Sequence, residues 1–330
     1  MEIIHGLENV PRNPAALVTV GSFDGVHRGH QRILRQMRKS GAGPVTLLTF
    51  EPHPQSVVHP EIPPPPILTS FEERVALFEN YGVDVLILAK FDVNFAQMTA
   101  ADFVGEALYK SVGMSRIYVG PNHHFGHSRA GDVHLLQEIA HRLGFKVEVV
   151  EPIISRGAAI SSSRIRKALT GGDARQAFNW LGRPYYLIGK VTRGAGRGKR
   201  LGFPTANQII SDPLKLAPPA GIYASVTEWD GDRWPSVTHI GPRPTYQEED
   251  WTVETHIIGF DEDIYGRTIR VGLCQKLRNI IHYDSEKCLI AHIRLDCLSS
   301  MQTLTEAGFS PLARWFNRRL SGNGRDRYMR

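Results

Sequence analysis

Cysteine is scarce in this sequence of 330 residues. The chain holds three cysteines, Cys274, Cys288 and Cys297, and no two of them form a Cys-x-x-Cys pair. A disulfide framework or a redox pair would need paired cysteines at suitable spacing. We therefore expect three reduced thiols with a structural role.

Long hydrophobic runs are missing as well. No stretch approaches the roughly eighteen consecutive apolar residues of a membrane-spanning helix, and the N-terminus has no basic segment followed by an apolar one. The hydrophobic fraction of 42% and the mean hydropathy of −0.23 are ordinary for a protein that buries a sizeable core. The sequence therefore predicts a cytoplasmic protein that has no membrane partner.

The excess of positive charge is small. A formal net charge of +6 suits nucleic acid, but it equally suits a protein that binds ATP and phosphorylated ligands. The basic residues concentrate in glycine-containing loops and are not interleaved with aromatic side chains, as a nucleic-acid surface would require. We therefore expect small-molecule partners and no nucleic acid, and the sequence is compatible with a homo-oligomer.

Two common nucleotide-binding motifs are also absent. No Gly-x-Gly-x-x-Gly follows the first strand pattern, and the Gly198-Lys199 pair lacks the flanking residues of a Walker A loop. What the first half does contain is an alternation of strand and helix patterns. Buried strands are predicted at 17–20, 45–50, 83–88 and 116–119. This alternation predicts an α/β domain with a Rossmann-like, doubly wound parallel sheet, whose ligands bind at the carboxyl ends of the strands.

The segment between the first predicted strand and the following helix carries the strongest signal. Residues 21–30 read Gly-Ser-Phe-Asp-Gly-Val-His-Arg-Gly-His. A tight turn between a strand and a helix aims backbone N–H groups at an anion, usually a phosphate. His27 and His30 place two imidazoles on one side of that turn, and Gly29 leaves room for a ligand. A histidine taken alone is more often a surface or structural residue, so the prediction depends on the whole segment.

Two later segments carry matching chemistry. Residues 120–132 follow the fourth predicted strand and contain His123, His124 and His127. A metal site is disfavoured there, because no acidic or cysteine ligand stands at helical spacing. Residues 160–166 open another helix with three serines and two arginines, which together suit a phosphate. Taken singly, these residues would be a helix cap and solvated charges.

The pattern changes at about residue 183. Short β-like runs separated by Gly, Pro and Asp replace the alternation of strands and helices. These runs are 186–191, 221–226, 236–240, 253–260 and 268–273. They predict an all-β domain, a small antiparallel barrel, and apolar helical spacing at 288–295 and 312–320 predicts terminal helices. We therefore divide the chain into domains 1–182 and 183–330.

A glycine-rich basic loop stands near the start of the second half. Residues 194–202 hold several basic side chains that can wrap a triphosphate. Thr205 and Asn207 follow, and their side-chain oxygens can complete a Mg²⁺ shell around phosphate oxygens. Glu254 stands in a predicted strand, where taken alone it would be a solvent-facing carboxylate.

The first half resembles a known family of enzymes. Residues 21–30 are similar to the nucleotide-binding signature of the nucleotidyltransferase superfamily, in the Phe-Asp-Gly form of bacterial FAD synthetases. Residues 119–132 and 160–166 (ISSSRIR) resemble two further segments of that family. The resemblance implies transfer of AMP from ATP to FMN with release of pyrophosphate, and catalytic roles for His27 and His30. It assigns ATP and phosphate binding to Gly21, Phe23, Asp24, Gly25, Ser162, Ser163, Arg164 and Arg166, and the flavin pocket to Asn122, Phe125, Arg129 and Asp132.

The second half resembles riboflavin kinases. Residues 202–207 (GFPTAN), 219–224, 240–245 and 253–258 match four segments of that family in order. The resemblance implies a riboflavin-kinase-type barrel that uses MgATP, with Glu254 as the base that takes the proton from the riboflavin 5′-hydroxyl. It assigns ATP and phosphate binding to Gly196, Arg197, Lys199, Gly202 and Pro204, metal binding to Thr205 and Asn207, and the flavin side to Tyr223, Arg243 and Arg278.

Several positions depart from these families. Asn122, His123 and His124 stand where FAD synthetases usually have Asp, Phe and often Arg. In the kinase half, His239 replaces a frequent Asn and Ile280 replaces a usual Glu. We therefore expect Arg278 to lack its acidic partner.

Together the resemblances predict an enzyme of FAD biosynthesis that combines riboflavin kinase and FMN adenylyltransferase activities. Its co-substrate would be ATP with Mg²⁺, and riboflavin, FMN and FAD would be substrates and products. The alternative is an adenylyltransferase for FMN or another small acceptor, in which the barrel is a catalytically weak flavin-binding module.

Overall fold

The computed structural model describes residues 1–194, 196–242 and 251–309, and the chain divides into two compact units. The first unit is Met1–Ser162, and the second begins at Ser163. Our division at residues 182 and 183 falls further along the chain and stays a prediction. Arg243 and the helix predicted at 312–320 lie outside the described residues.

A six-stranded parallel sheet forms the centre of the first unit. Its strands are β1 (Glu2–His5), β2 (Ala16–Val20), β3 (Val45–Glu51), β4 (Val85–Lys90), β5 (Met114–Val119) and β6 (Lys146–Val149). They lie in the order β1-β4-β3-β2-β5-β6. The four predicted strands are β2 to β5. The edge strands β1 and β6 are short and mostly exposed, so they lack the apolar runs that identify the others.

Helices cover both faces of this sheet. They are α1 (Arg28–Ser40), α2 (Pro54–Val58), α3 (Phe71–Asn80), α4 (Val93–Ala96), α5 (Ala100–Asp102), a π-helical segment (Phe103–Val112) that continues α5, and α6 (Val133–Leu143). Successive strand residues point to opposite faces. Leu17 therefore packs in one cluster with Leu34 and Phe78, while Val18 packs in a second cluster with Val104. The predicted doubly wound sheet is confirmed.

Smaller elements complete the first unit. They are two 3₁₀ turns, Leu7–Asn9 and His127–Arg129, and a short antiparallel pair, β7 (Ile154–Ser155) and β8 (Ala158–Ala159).

Two loops leave the sheet at its topological switch point. Strands β2 and β5 are neighbours, and the chain continues from β2 to β3 on one side and from β5 to β6 on the other. In open parallel sheets, ligands bind at the carboxyl ends of the strands at such a point. The loops at 21–27 and 120–132 follow β2 and β5, so the sheet brings together the two segments that the sequence singles out.

A closed six-stranded barrel dominates the second unit, and all its strand pairs are antiparallel. Its strands are β9 (Tyr185–Thr192), β10 (Ala206–Ile210), β11 (Gly221–Trp229), β12 (Asp232–Pro242), β13 (Trp251–Ile257) and β14 (Thr268–Arg278). The helices of this part of the chain are α7 (Ser162–Thr170), which begins at the last residue of the first unit, α8 (Ala174–Leu181), α9 (Arg197–Arg200) and α10 (Glu286–Glu306). The predicted barrel is confirmed. Strand β10 has no clear alternation and escapes sequence analysis, and the run predicted at 253–260 ends earlier, at Ile257.

The two faces of the barrel strands differ in chemistry. Ile222 and Val237 on one face pack against Cys297 of α10. The other face carries a chain of five fully buried hydroxyl groups joined by hydrogen bonds of 2.7 to 3.0 Å. Listed from one hydrogen-bonded neighbour to the next, these residues are Thr227, Ser236, Ser225, Thr238 and Thr255. We call them the hydroxyl chain. Each member finds a partner within it, which is the condition for burying polar groups at little cost.

The longest described helix, α10, carries two of the three free cysteines. Cys297 and the strand residue Cys274 are buried, and burial raises the pKa of each thiol to about 12. Cys288 is exposed, so the expected structural role does not extend to it. Within the described ranges, no helix is both long and apolar enough to cross a membrane.

Candidate active sites

The loop after β2 has a strained backbone. Phe23, Gly25 and Val26 have φ angles of 50°, 79° and 36°. Residues with side chains rarely adopt such angles, and a β-branched residue does so least of all. Phe23, Asp24 and Val26 are buried, so the surroundings hold the loop in this conformation. Strain of this kind concentrates at functional sites.

Asp24 holds this loop in place. Its carboxylate accepts hydrogen bonds from Leu68 N at 2.9 Å, Thr69 N at 3.0 Å and Thr69 Oγ1 at 3.1 Å. Thr69 Oγ1 in turn accepts from Gly25 N at 2.9 Å, and the Asp24 carbonyl accepts from Ser162 Oγ at 2.8 Å. We call Asp24, Gly25, Leu68 and Thr69 the Asp24 clamp. These hydrogen bonds show that Asp24 and Gly25 stabilise the loop. Their roles in ATP binding stay predictions.

The two motif histidines form a stacked pair. His27 is the N-cap of α1, and its Nδ1 accepts from His30 N at 3.4 Å. A neutral His27 therefore carries its proton on Nε2. The rings lie 3.7 Å apart, and Phe23 lies 4.7 Å from the His30 ring. A Cβ at Gly29 would stand 3.0 Å from the His27 ring, so a larger residue there would require that ring to shift.

Burial keeps His30 neutral. Burial of the ring, followed by the charge of His27, holds the pKa of His30 well below its usual value. Stacked imidazoles repel each other when both are charged, so near neutral pH the pair offers N–H groups without two positive charges. His30 Nδ1 is buried and has no hydrogen-bond partner among the described residues. A ligand that supplied one would remove an energetic cost.

The predicted serine and arginine segment opens α7. Ser162 contacts Asp24 as described above, and Ser163 is exposed. Arg164 places its guanidinium 4.5 Å from the Trp180 ring, a cation–π contact within the second unit. Arg164 and Arg166 are half-buried. Phosphate binding by Ser162, Ser163, Arg164 and Arg166 stays a prediction.

The loop after β5 closes on itself. Phe125 and Gly131 exchange two backbone hydrogen bonds of 2.9 and 3.0 Å. Phe125 is buried, and Asp132 caps α6 by accepting from Leu135 N at 2.9 Å. Asn122 and Arg129 are exposed. The four predicted flavin-pocket residues therefore divide into two with structural contacts and two that face outward.

His123 stacks on Phe125 with ring centres 5.7 Å apart. Burial, followed by the charges of His124 and Arg129, lowers the pKa of His123 to about 4. A neutral imidazole is a flat ring, so it can occupy the place of the usual phenylalanine. Among the described residues no cluster of His, Cys, Asp or Glu could hold a metal ion.

In the second unit, the glycine loop folds back onto the predicted metal ligands. A side chain at Gly194 would overlap the amide of Asn207, and one at Gly198 would meet the Phe203 carbonyl and Thr205. These glycines allow the backbone to approach closely. Gly196 and Gly202 have φ angles of 69° and 87°, which glycine adopts readily. Around this loop Arg197, Lys199 and Pro204 are exposed, while Thr205 and Asn207 are half-buried.

His256 on β13 supports this loop and is a residue that sequence analysis missed. Its Nδ1 lies 2.8 Å from the Pro204 carbonyl, which can only accept, so Nδ1 carries the proton. The His256 ring also meets Phe203 edge to face at 5.4 Å. Burial lowers the pKa of His256, opposed by the bond to Pro204.

Strand register lines up the predicted kinase residues. Asn207 on β10 lies opposite Glu254 on β13, and Glu254 lies opposite His239 on β12. His239 then lies opposite Ile222 on β11, which lies opposite Arg278 on β14. Directly opposite residues share one face, with Cβ atoms about 5 Å apart. We call these five residues the barrel row.

Both kinase departures lie near Gly241. A Cβ built at Gly241 would stand 2.9 Å from Ile280 and 3.0 Å from the His239 ring. Burial lowers the pKa of His239, the charge of Glu254 raises it, and that of Arg278 lowers it. His239 is therefore a neutral neighbour of the predicted base.

Arg278 does not lack an acidic partner, and our expectation was wrong. Asp296 of α10 accepts from Arg278 Nε at 2.9 Å and from Nη2 at 2.7 Å. Both side chains are largely buried. An acidic residue on the packed face of a helix indicates that a basic residue pairs with it. Because Asp296 is distant from Arg278 in the sequence, the sequence does not show which residues pair. Ile280 is 40% exposed and takes no part in this pair.

Tyr223 has a structural contact. It is fully buried, its hydroxyl donates to the Pro219 carbonyl at 2.6 Å, and burial raises its pKa. Its predicted flavin role stays a prediction, as does that of Arg243, which lies outside the described residues.

Two parts of the chain match two known protein families. Residues 10–164 match the FAD synthetase family, and residues 181–304 match the riboflavin kinase family. A bifunctional riboflavin kinase/FMN adenylyltransferase of Pseudomonas fluorescens is 34% identical over 301 residues, which cover 90% of this chain and 96% of that protein. A protein of the same description from Escherichia coli K12 is 34% identical over 308 residues, covering 92% of this chain and 97% of that protein.

A solved structure shares the fold over nearly the whole chain. It comes from Streptococcus pneumoniae, is described as a macrolide-efflux protein, and superposes with a TM-score of 0.81 at 28% identity. The match covers 90% of this chain and 97% of the other. With two relatives that match over nearly their full length, the chain belongs to the family of bifunctional riboflavin kinases/FMN adenylyltransferases.

Proposed function

We propose that this chain makes FAD in two steps. Its region 183–330 phosphorylates riboflavin to FMN, and its region 1–182 then adenylylates FMN. ATP is the co-substrate of both steps, and riboflavin, FMN and FAD are substrates and products. The observation that carries the proposal is the presence of both family matches in one chain, in the order seen in its bifunctional relatives. The product of one reaction is the substrate of the other.

For the kinase step, Glu254 is the proposed base. Its half-buried carboxylate accepts the proton of the riboflavin 5′-hydroxyl while the oxygen bonds to the γ-phosphorus of ATP. The bond from that phosphorus to the bridging oxygen breaks, and ADP leaves. The exposed cations Arg197 and Lys199 suit the charge of the triphosphate.

The donors at the glycine loop suit Mg²⁺. Thr205 and Asn207 offer oxygen atoms, which this hard cation prefers, beside a loop that approaches them closely. They would hold the ion together with phosphate oxygens. When bound, Mg²⁺ neutralises charge on the phosphates.

For the adenylyl step, a phosphate oxygen of FMN attacks the α-phosphorus of ATP and pyrophosphate leaves. His27 and His30 donate N–H groups to the oxygens on which charge develops. Gly21 and Phe23 belong to the turn that approaches the phosphates. Ser162, Ser163, Arg164 and Arg166 are proposed to bind the triphosphate.

Only small-molecule partners are proposed. We further propose a cytoplasmic location, with no nucleic-acid or membrane partner. Assembly into a homo-oligomer stays a prediction of the sequence.

A time course followed by liquid chromatography tests the function. Purified protein is incubated with ATP and Mg²⁺, in one tube with riboflavin and in another with FMN. We expect FMN and then FAD from riboflavin, and FAD alone from FMN. FAD only from added FMN would support the alternative, in which the barrel is a weak flavin-binding module. No flavin product in either tube would overturn FAD synthesis and leave an adenylyltransferase for another small acceptor.

A further inference from the structure

The Asp24 clamp lies where three segments of the first unit meet. It joins the strained turn after β2 to the residues that precede α3, and the Asp24 carbonyl joins both to Ser162. The α3 side of the clamp is rigid, because Ser70 and Glu73 form a reciprocal capping box at the start of that helix. The clamp therefore ties a strained turn to a fixed helix end.

Thr69 is the member that joins both sides of the clamp through one atom. Its Oγ1 accepts from Gly25 N at 2.9 Å and lies 3.1 Å from Asp24 Oδ1. The backbone N–H can only donate and the carboxylate can only accept, so the hydroxyl proton points to Asp24. Thr69 is 4% exposed, and water has little access to replace these bonds.

The turn that Thr69 fixes leads directly into the proposed catalytic pair. Gly25 precedes Val26 and His27, and His27 is the N-cap that receives His30 N. Val26 itself has a φ of 36° and is fully buried. Relaxation of Gly25 would let the strained turn move, and the stacked imidazoles would move with it.

Resting on the proposed adenylyl transfer, we propose that Thr69 is a positioning residue of that site, which acts through Gly25 to hold His27 and His30 in place. Neither family resemblance assigned it a role. Thr69 binds no substrate in this proposal. Misplacement of reacting groups by about 1 Å lowers rates by about 10²-fold, so loss of this one hydroxyl has a large effect.

The test replaces Thr69 with valine, which keeps the shape and removes the hydroxyl. The matched control is Thr49→Val in β3, because Thr49 is also buried and its Oγ1 has no hydrogen-bond partner among the described residues. Full-length proteins are assayed for FMN to FAD and for riboflavin to FMN, with separate kcat and KM for ATP. We expect Thr69→Val to lower kcat for FAD formation at least about tenfold, and Thr49→Val to change it less than about twofold. Circular dichroism and thermal unfolding serve as the folding control in each protein, and riboflavin phosphorylation is expected to stay unchanged.

A second pair keeps the test decisive if the valine variant fails to fold. Thr69→Ser retains the hydroxyl and Thr69→Ala does not, so the two differ at that group alone. Serine should restore FAD formation to within about threefold of the parent, and alanine should not. Equal rates for serine and alanine, or a Thr69→Val protein that matches Thr49→Val, would overturn the proposal. A parent protein that forms no FAD would instead overturn the function on which the proposal rests.

Discussion

The two units place their candidate catalytic groups by different means. In the first unit, His27 and His30 stand on a loop whose strained backbone is held by side-chain hydrogen bonds. In the second unit, Glu254 and His239 stand on strands whose register alone makes them neighbours. A loop can move when one hydrogen bond is lost, whereas a strand in a closed barrel cannot. Substitutions should therefore disturb geometry in the first site and remove single chemical groups in the second.

The largest effect is expected for Glu254→Gln. It keeps the size of the side chain and removes the proposed base, which contributes about 10²–10⁴-fold to such reactions. Riboflavin phosphorylation should fall by that factor, while FAD formation from supplied FMN stays within about twofold of the parent. Separate steady-state assays of the two steps measure this. An equal loss of both activities in a folded protein would show that the sites are not independent.

His30→Ala is the reciprocal change in the first unit. Loss of one preorganised donor to a developing anion costs about 10²–10³ in kcat. We expect that loss in FAD formation from FMN, with riboflavin phosphorylation unchanged. His134→Ala is the control, because His134 is an exposed histidine of the same unit. If FAD formation survived His30→Ala, His30 would have no role in catalysis.

Asp296→Asn should act on stability rather than on one chemical step. It breaks the ion pair with Arg278, and breaking a buried pair typically costs about 3–5 kcal/mol. All five tryptophans stand after Ser162, so tryptophan fluorescence during urea unfolding reports on the second unit. Asp284→Asn, at an exposed position, should change the unfolding free energy by less than about 0.5 kcal/mol. Similar values for both variants would mean that the pair does not stabilise the barrel.

The sequence alone identifies some residues of these sites and not others. The first site follows from residues 21–30 almost by inspection, because strand, turn and helix are consecutive. Thr69 stands far along the chain from Asp24 and has no motif, so only the fold brings it to Gly25. The pairing of Arg278 with Asp296 was hidden for the same reason.

The barrel shows a second limit of sequence analysis. Apolar runs identified five of its strands, but in β10 the adjacent polar residues Asn207 and Gln208 interrupt the apolar ones, so neither a run nor an alternation marks it. The lengths of strands also depend on pairing, so the predicted run that began at Val253 extended past Ile257. Which predicted residues share a face requires the register, and no local pattern gives it.

His123→Phe tests the pH dependence of the first unit. A histidine whose pKa is lowered to about 4 in the folded state binds protons more readily when unfolded. The contribution of His123 to the free energy of unfolding is therefore greatest above pH 6.5, and it decreases as the pH drops toward 4. Between pH 7 and 5 the parent should lose up to about 2 kcal/mol that the phenylalanine variant retains. Calorimetry at both pH values measures the difference, and parallel pH profiles for the two proteins would contradict the neutral state of His123.

The smallest effect is expected from modification of Cys288. A maleimide should label this exposed thiol once in the native protein, without loss of either activity. Cys274 and Cys297 should react only after unfolding, because they are buried and their pKa values lie near 12. Mass spectrometry counts the labels, and Cys288→Ser should take none in the native state. Two or more labels on native protein would contradict the burial of the other thiols.

The barrel row and the hydroxyl chain together limit which changes of length this module can accept. Adjacent positions of a strand alternate between the two faces, so the deletion of one residue within β13 would exchange Glu254 with Thr255. A carboxylate would then enter the buried face, and the hydroxyl chain would lose its last member. Insertions and deletions should therefore survive in the loops of this barrel and be lost from β10, β12 and β13.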